Sequence, residues 1–92
     1  MKIVGDIGNS ETKICLINSK NKIIKKVTLN TNKISPLTLK RSLSNFKLKN
    51  NILVKCLFCS VVPKSFNEIK IFFIKNYKIK CYELKTLDLS QL

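Results

Sequence analysis

Histidine and alanine are absent from this 92-residue chain, and only five residues are acidic. Without histidine, a transition-metal site would have to come from the four cysteines, Cys15, Cys56, Cys59 and Cys81. Cys56 and Cys59 form a C-x-x-C, but no second such pair accompanies it. The pair also lies in a strand-like run, where an odd spacing sends the two side chains to opposite faces. Small buried hydrophobes are therefore the favoured reading of these cysteines, over a metal or redox role. No apolar run approaches the ~18 residues that a membrane-spanning helix needs. The opening Met1-Lys2-Ile3-Val4-Gly5-Asp6 has one charge and a short apolar stretch broken by Asp6. It makes a poor signal peptide, so the expected location is cytoplasmic, where a disulfide framework has no redox support. No internal repeat, low-complexity segment or linker stands out, and the length fits one domain with a modest core.

What the chain has in excess is lysine. The formal net charge is +13, from 18 basic and five acidic residues, and Arg41 is the only arginine. Such a charge suits nucleic acid or an anionic surface. Lysine, asparagine and isoleucine nevertheless make up 39 of the 92 residues. All three have A/T-rich codons, and the missing alanine has G/C-rich ones. Specific phosphate and base recognition favours the arginine fork. Compositional drift thus accounts for the charge without a nucleic-acid or membrane partner.

Hydrophobic periodicity divides the chain into seven elements. Lys2 to Asp6 reads as a strand, Gly8-Asn9-Ser10-Glu11 as a turn whose Gly and Asn tolerate positive φ, and Thr12 to Ile17 as a second strand. A polar turn over 18–22 leads to a third strand, Ile23 to Leu29, in which Val27 and Leu29 alternate with Thr28. Ser35-Pro36 reads as an N-cap with proline at the first helical position, followed by the stripe Leu39, Leu43 and Phe46. The polar stretch 47–51 ends this helix. Leu53 to Val62 resembles a strand buried on both faces, and Pro63 stops it. Ser65-Phe66-Asn67-Glu68 has the form of a capping box, with Phe66, Ile69, Phe73 and Tyr77 as the stripe of a second helix. Ile71 and Ile74 fall off that stripe, so a strand reading of the segment stays open. Ile79 to Leu84 is a last short strand. The order β-β-β-α-β-α-β demands a mixed sheet covered by helices.

Asp6-Ile7-Gly8-Asn9-Ser10-Glu11-Thr12 is where chemistry is written. Gly8 lets backbone approach a ligand closely, and successive N–H groups of such a turn can form an anion nest. Ser10 and Thr12 carry hydroxyls suited to phosphate oxygens. Asp6, at a strand end, suits Mg²⁺, which takes hard oxygen ligands. Lys13 adds positive charge in a direction that alternation leaves undecided. The same residues also suit an ordinary hairpin turn, in which Asp before Gly-Asn-Ser is common.

This segment resembles the D-x-G-N-T-x-T opening of the type III pantothenate kinases, within the acetate kinase/sugar kinase/actin superfamily. Ser10 stands where threonine is usual, Glu11 where asparagine is common, and Lys13 replaces an apolar residue. Cys59-Ser60-Val61-Val62-Pro63 is similar to the family's S-S-V-V-P, and 77–84 more loosely resembles its next helix end and strand. The resemblance spans nearly the whole chain. It implies a ribonuclease H-like, actin-like ATPase half-lobe with strand order 3-2-1-4-5, residues 1–92 forming one N-terminal lobe. It implies an ATP-dependent kinase that phosphorylates pantothenate, the first step of coenzyme A synthesis. The ATP-phosphate site would comprise Asp6, Ile7, Gly8, Asn9, Ser10, Glu11, Thr12 and Lys13, with Asp6 at the metal. Mg²⁺, a monovalent cation (K⁺ or NH₄⁺) and a homodimer also follow from the resemblance.

The family pattern continues into a G-x-D-R segment with the catalytic Asp, a second phosphate loop and an adenosine site. None occurs here, no glycine follows Gly8, and Asp88 lacks the expected neighbours. No catalytic base is assigned. The expectation is a lobe incomplete relative to the family and inactive alone. The alternatives are a decayed kinase relative or a non-catalytic basic module that binds nucleic acid or protein.

Overall fold

In the computed structural model the described residues are 1–48 and 54–84. They build a five-stranded mixed sheet in the order β3-β2-β1-β4-β5, with two α-helices. The strands are β1 (Lys2–Ile7), β2 (Glu11–Ile17), β3 (Ile23–Asn30), β4 (Lys55–Ser60) and β5 (Cys81–Leu84). The helices are α1 (Pro36–Leu43) and α2 (Pro63–Tyr77), with short 3-10 turns at Thr31–Lys33 and Ser44–Phe46. The first three strands form the expected antiparallel meander, β4 pairs parallel to β1, and β5 pairs parallel to β4.

Both helices lie on one face of the sheet, because their buried residues join a single core. Leu39 and Leu43 of α1 and Ile69, Phe72 and Phe73 of α2 pack with Ile3, Ile7, Ile14, Leu16, Cys56 and Phe58. The expected stripe of α2 is thus wider than read, with Phe72 added, while Phe66 and Tyr77 pack at its margin. Ile71 and Ile74 point outward and are exposed, as a helix requires, which removes the strand reading of this segment. Ser35 caps α1 as expected: its Oγ accepts the Thr38 N–H, and Thr38 Oγ1 accepts the Ser35 N–H at 2.9 Å.

Local chemistry overturned the reading of the second helix start. The capping box at Ser65 is not formed; α2 begins at Pro63 with Val62 at the N-cap. Proline at the first helical position loses no hydrogen bond and presets φ. Upstream, Ser60 Oγ accepts the Val62 N–H at 3.0 Å and donates to the Val62 carbonyl at 3.0 Å, turning the chain before Pro63. Ser65 is consequently buried inside the first turn. The last strand is also shorter than read. Lys78 takes a left-handed conformation (φ 56°), its N–H returns to Ile74, and the Ile79 N–H bonds the Phe73 carbonyl at 3.2 Å. This is an αL-type helix end, and it uses Ile79 as a buried plug rather than as the start of β5. Leu53, Thr86 and Asp88 lie outside the described residues.

Gly5 anchors the sheet. It is the register partner of Phe58 across the parallel β1–β4 ladder. A Cβ added at Gly5 would sit 2.0 Å from a Phe58 ring carbon. Phe58 is fully buried and packs on Phe66 and Phe73, with ring centroids 6.4 and 6.2 Å away. It has no room to yield. Gly5→Ala should therefore destabilise the fold by about 2–3 kcal/mol, the upper range for overpacking a filled core. Urea denaturation would register this as a lower midpoint at unchanged slope; a midpoint equal to wild type would contradict the packing argument.

Candidate functional site: a loop at the carboxyl end of the central strands

The two motif segments, far apart in sequence, meet at one end of the sheet. Asp6 is paired with Lys13 on β2 and with Cys59 on β4, and Ile7 with Ser60. The Val61 N–H extends the ladder by donating to the Ile7 carbonyl at 3.0 Å. The crevice outside the carboxyl ends of parallel strands is the usual ligand position in open α/β sheets. Residues 8–11 close over this end as a two-residue hairpin loop, held by Gly8 N–H to the Glu11 carbonyl at 2.9 Å.

Alternation along β1 and β2 decides which side chains the loop can offer. Ile7 and Thr12 turn under the sheet and are fully buried, while Asp6, Asn9, Ser10, Glu11 and Lys13 are exposed. Asp6 and Lys13 share the face opposite the helices, which settles the direction of Lys13. Ile7 contributes backbone only. Neither Gly8 nor Asn9 adopts positive φ. Glycine suits this position for a different reason: a Cβ there would stand 3.1 Å from the Glu11 carbonyl oxygen that its own N–H bonds, a tight contact. The amides of Asn9 and Ser10 donate to no acceptor among the described residues. Two adjacent N–H groups without a partner among these residues, beside an exposed carboxylate, are chemically suited to an anion and its counter-cation.

The sequence family described as type III pantothenate kinase matches residues 2–90. The chain belongs to this family. It is 65% identical, over its whole length, to a type III pantothenate kinase of Pelagibacter ubique (strain HTCC1062). The chain spans 37% of the length of that relative.

The loop and its flanks carry two exposed carboxylates, Asp6 and Glu11, which offer hard oxygen ligands to a metal ion. No group of three potential ligands is present among the described residues. No helix among the described residues is long and apolar enough to cross a membrane.

Sequence reasoning missed three residues that shape the site. Gly5 sets the β1–β4 approach, Ser60 turns the chain after β4, and Thr31 supports the loop from behind. Ser60 was visible as part of a motif; Thr31 was not, because its partners are 19 and 23 residues away.

The C-x-x-C splits across the sheet, and only Cys56 is the buried residue expected; Cys59 is half-buried. Cys56 faces the core, with its Sγ 2.9 Å from that of Cys81 on β5, and Cys59 lies on the opposite face. The hydrogen bond with Cys81 and, next, burial hold the Cys56 thiol well above its usual value. Iodoacetamide at pH 8 should therefore spare Cys56 in the native protein and label it after denaturation. The unfolded thiol ionises near about 8.5, so the Cys56 contribution to stability is complete below that pH and declines above it. Peptide mapping by mass spectrometry would check the labelling; rapid native modification of Cys56 would contradict it.

Proposed function

We propose that this chain is the N-terminal, ATP-phosphate-binding portion of an ATP-dependent pantothenate kinase, acting in the cytoplasm. The observation that carries this reading is the 65% identity along the full chain to a type III pantothenate kinase, and the loop geometry is in keeping with it. In this reading the β3-β2-β1-β4-β5 sheet is the half-lobe of a ribonuclease H-like, actin-like ATPase fold. ATP and pantothenate are the substrates, and the remainder of the kinase supplies the pantothenate pocket, the adenosine pocket and the base.

The chemistry assigned to this lobe is positioning and charge neutralisation, which dominate phosphoryl transfer. The exposed N–H groups of Asn9 and Ser10 donate to phosphate oxygens. Asp6 would hold Mg²⁺, directly or through water, and the ion would supply charge neutralisation at the phosphates. Lys13, opposite Asp6 on β2, adds positive potential on the same face. Glu11 is exposed on the loop and contributes the opposite sign. The Thr12 hydroxyl is buried against Thr31, so within this lobe it serves the loop rather than the nucleotide.

Asp6 is exposed and outside the core, so its removal should leave the fold intact. Asp6→Ala in the full-length kinase should lower kcat/KM by at least about 100-fold, the scale for losing one electrostatic contact made in the transition state. A coupled ADP assay measures this, with circular dichroism as the control for folding. Near-normal turnover in a folded Asp6→Ala protein would remove Asp6 from the site.

A further inference from the structure

Loop 8–12 is held from beneath by Thr31, the first residue of the 3-10 turn after β3. The Thr31 N–H donates to the Ser10 carbonyl at 2.9 Å. Its hydroxyl donates to the Gly8 carbonyl at 2.8 Å, and Thr12 Oγ1 lies 2.8 Å from Thr31 Oγ1. A hydroxyl has a single proton. Thr31 gives that proton to a carbonyl, which has none to return. Thr12 must therefore be the donor in the Thr12–Thr31 pair, and the relay has one direction: Thr12 to Thr31 to the Gly8 oxygen. Thr12 is 0% and Thr31 4% exposed, so water does not compete for these bonds.

A trans peptide points its C=O and its following N–H in opposite directions. Drawing the Gly8 oxygen toward Thr31 therefore turns the Asn9 N–H away from the protein interior. Drawing the Ser10 oxygen toward the Thr31 amide ties the second loop residue to β3 and leaves the Glu11 N–H facing Gly8 across the hairpin. We propose that Thr31 is the positioning residue of this loop: by holding the Gly8 and Ser10 carbonyls inward, it fixes the loop and presents the Asn9 amide, beside that of Ser10, to a phosphate group. The phosphate assignment rests on the kinase reading above. The clamp itself rests only on these hydrogen bonds. Without it, the Gly8 carbonyl would be free to rotate outward and set a partial negative charge against the phosphate.

Thr31→Val keeps the shape and the amide but removes the hydroxyl. In the full-length kinase it should raise KM for ATP about tenfold, the scale of one lost hydrogen bond in a site, and leave KM for pantothenate within about twofold. Thr31→Ser, which keeps the hydroxyl, should restore the ATP value. In the nucleotide-free protein, Thr31→Val should also move the Asn9 and Ser10 amide resonances while those of β4, α2 and β5 stay in place. If Thr31→Val does not fold, Thr12→Val decides: a rise of about threefold in KM for ATP supports the relay, and no rise overturns it. Wild-type KM and wild-type Asn9 and Ser10 resonances in Thr31→Val, or a Thr31→Ser variant as impaired as Thr31→Val, overturn the proposal. If the wild-type protein binds no ATP but Thr31→Val still moves the loop resonances, the clamp stands and the kinase reading falls.

Discussion

The seat of the Phe58 ring over the bare Cα of Gly5 is the contact on which the rest depends. It lies on the ladder between the two parallel strands that carry the motifs, and its geometry leaves no space for a side chain. Phe58 also joins the sheet to α2 through Phe66 and Phe73, and Phe72 and Tyr77 extend the ring cluster toward the helix end. The Phe58 ring thus fills the space over Gly5 on the helix face of the β1–β4 pair and ties α2 to those strands. The residue pairs Asp6–Cys59 and Ile7–Ser60 follow from that register.

Placement of the loop follows in turn. Asp6 ends β1 on one face, and Ile7 and Thr12 enter the core on the other, so the hairpin between them is tied down at both feet. Thr31 adds a third tie from the connection between β3 and α1. The loop is consequently exposed at its tip and fixed at its base. That combination suits phosphate recognition, because donors that are already oriented need little reorganisation when charge arrives. One lobe leaves such a ligand partly in water, which weakens each contact; a closing second lobe would strengthen all of them together.

Much of the fold could be read from local patterns. The meander, the period change at Ser35-Pro36 and the buried run before Pro63 all rest on spacing within a few residues, and the strand order matches the expectation. The α2 start was misread because two local signals compete there, and Pro63 with Ser60 outcompetes Ser65 with Glu68. Asp6, Gly8 and Asn9 were legible as site candidates because they share one turn. The burial of Thr12 was not legible, since it depends on a hydroxyl 19 residues away. Gly5 gave no signal either: its meaning lies in a ring on a strand that arrives 53 residues later.

The central claim is that the exposed amides of loop 8–11 are a nucleotide-phosphate site. Titration of the ¹⁵N-labelled protein with Mg²⁺ and a non-hydrolysable ATP analogue tests it most directly. The account predicts saturable shifts that are largest at the amides of Gly8, Asn9, Ser10 and Glu11, with Val61 responding at the end of β4. Unchanged loop amides, with shifts confined to the basic groove of Lys33 and Arg41 between β3 and α1, would contradict it.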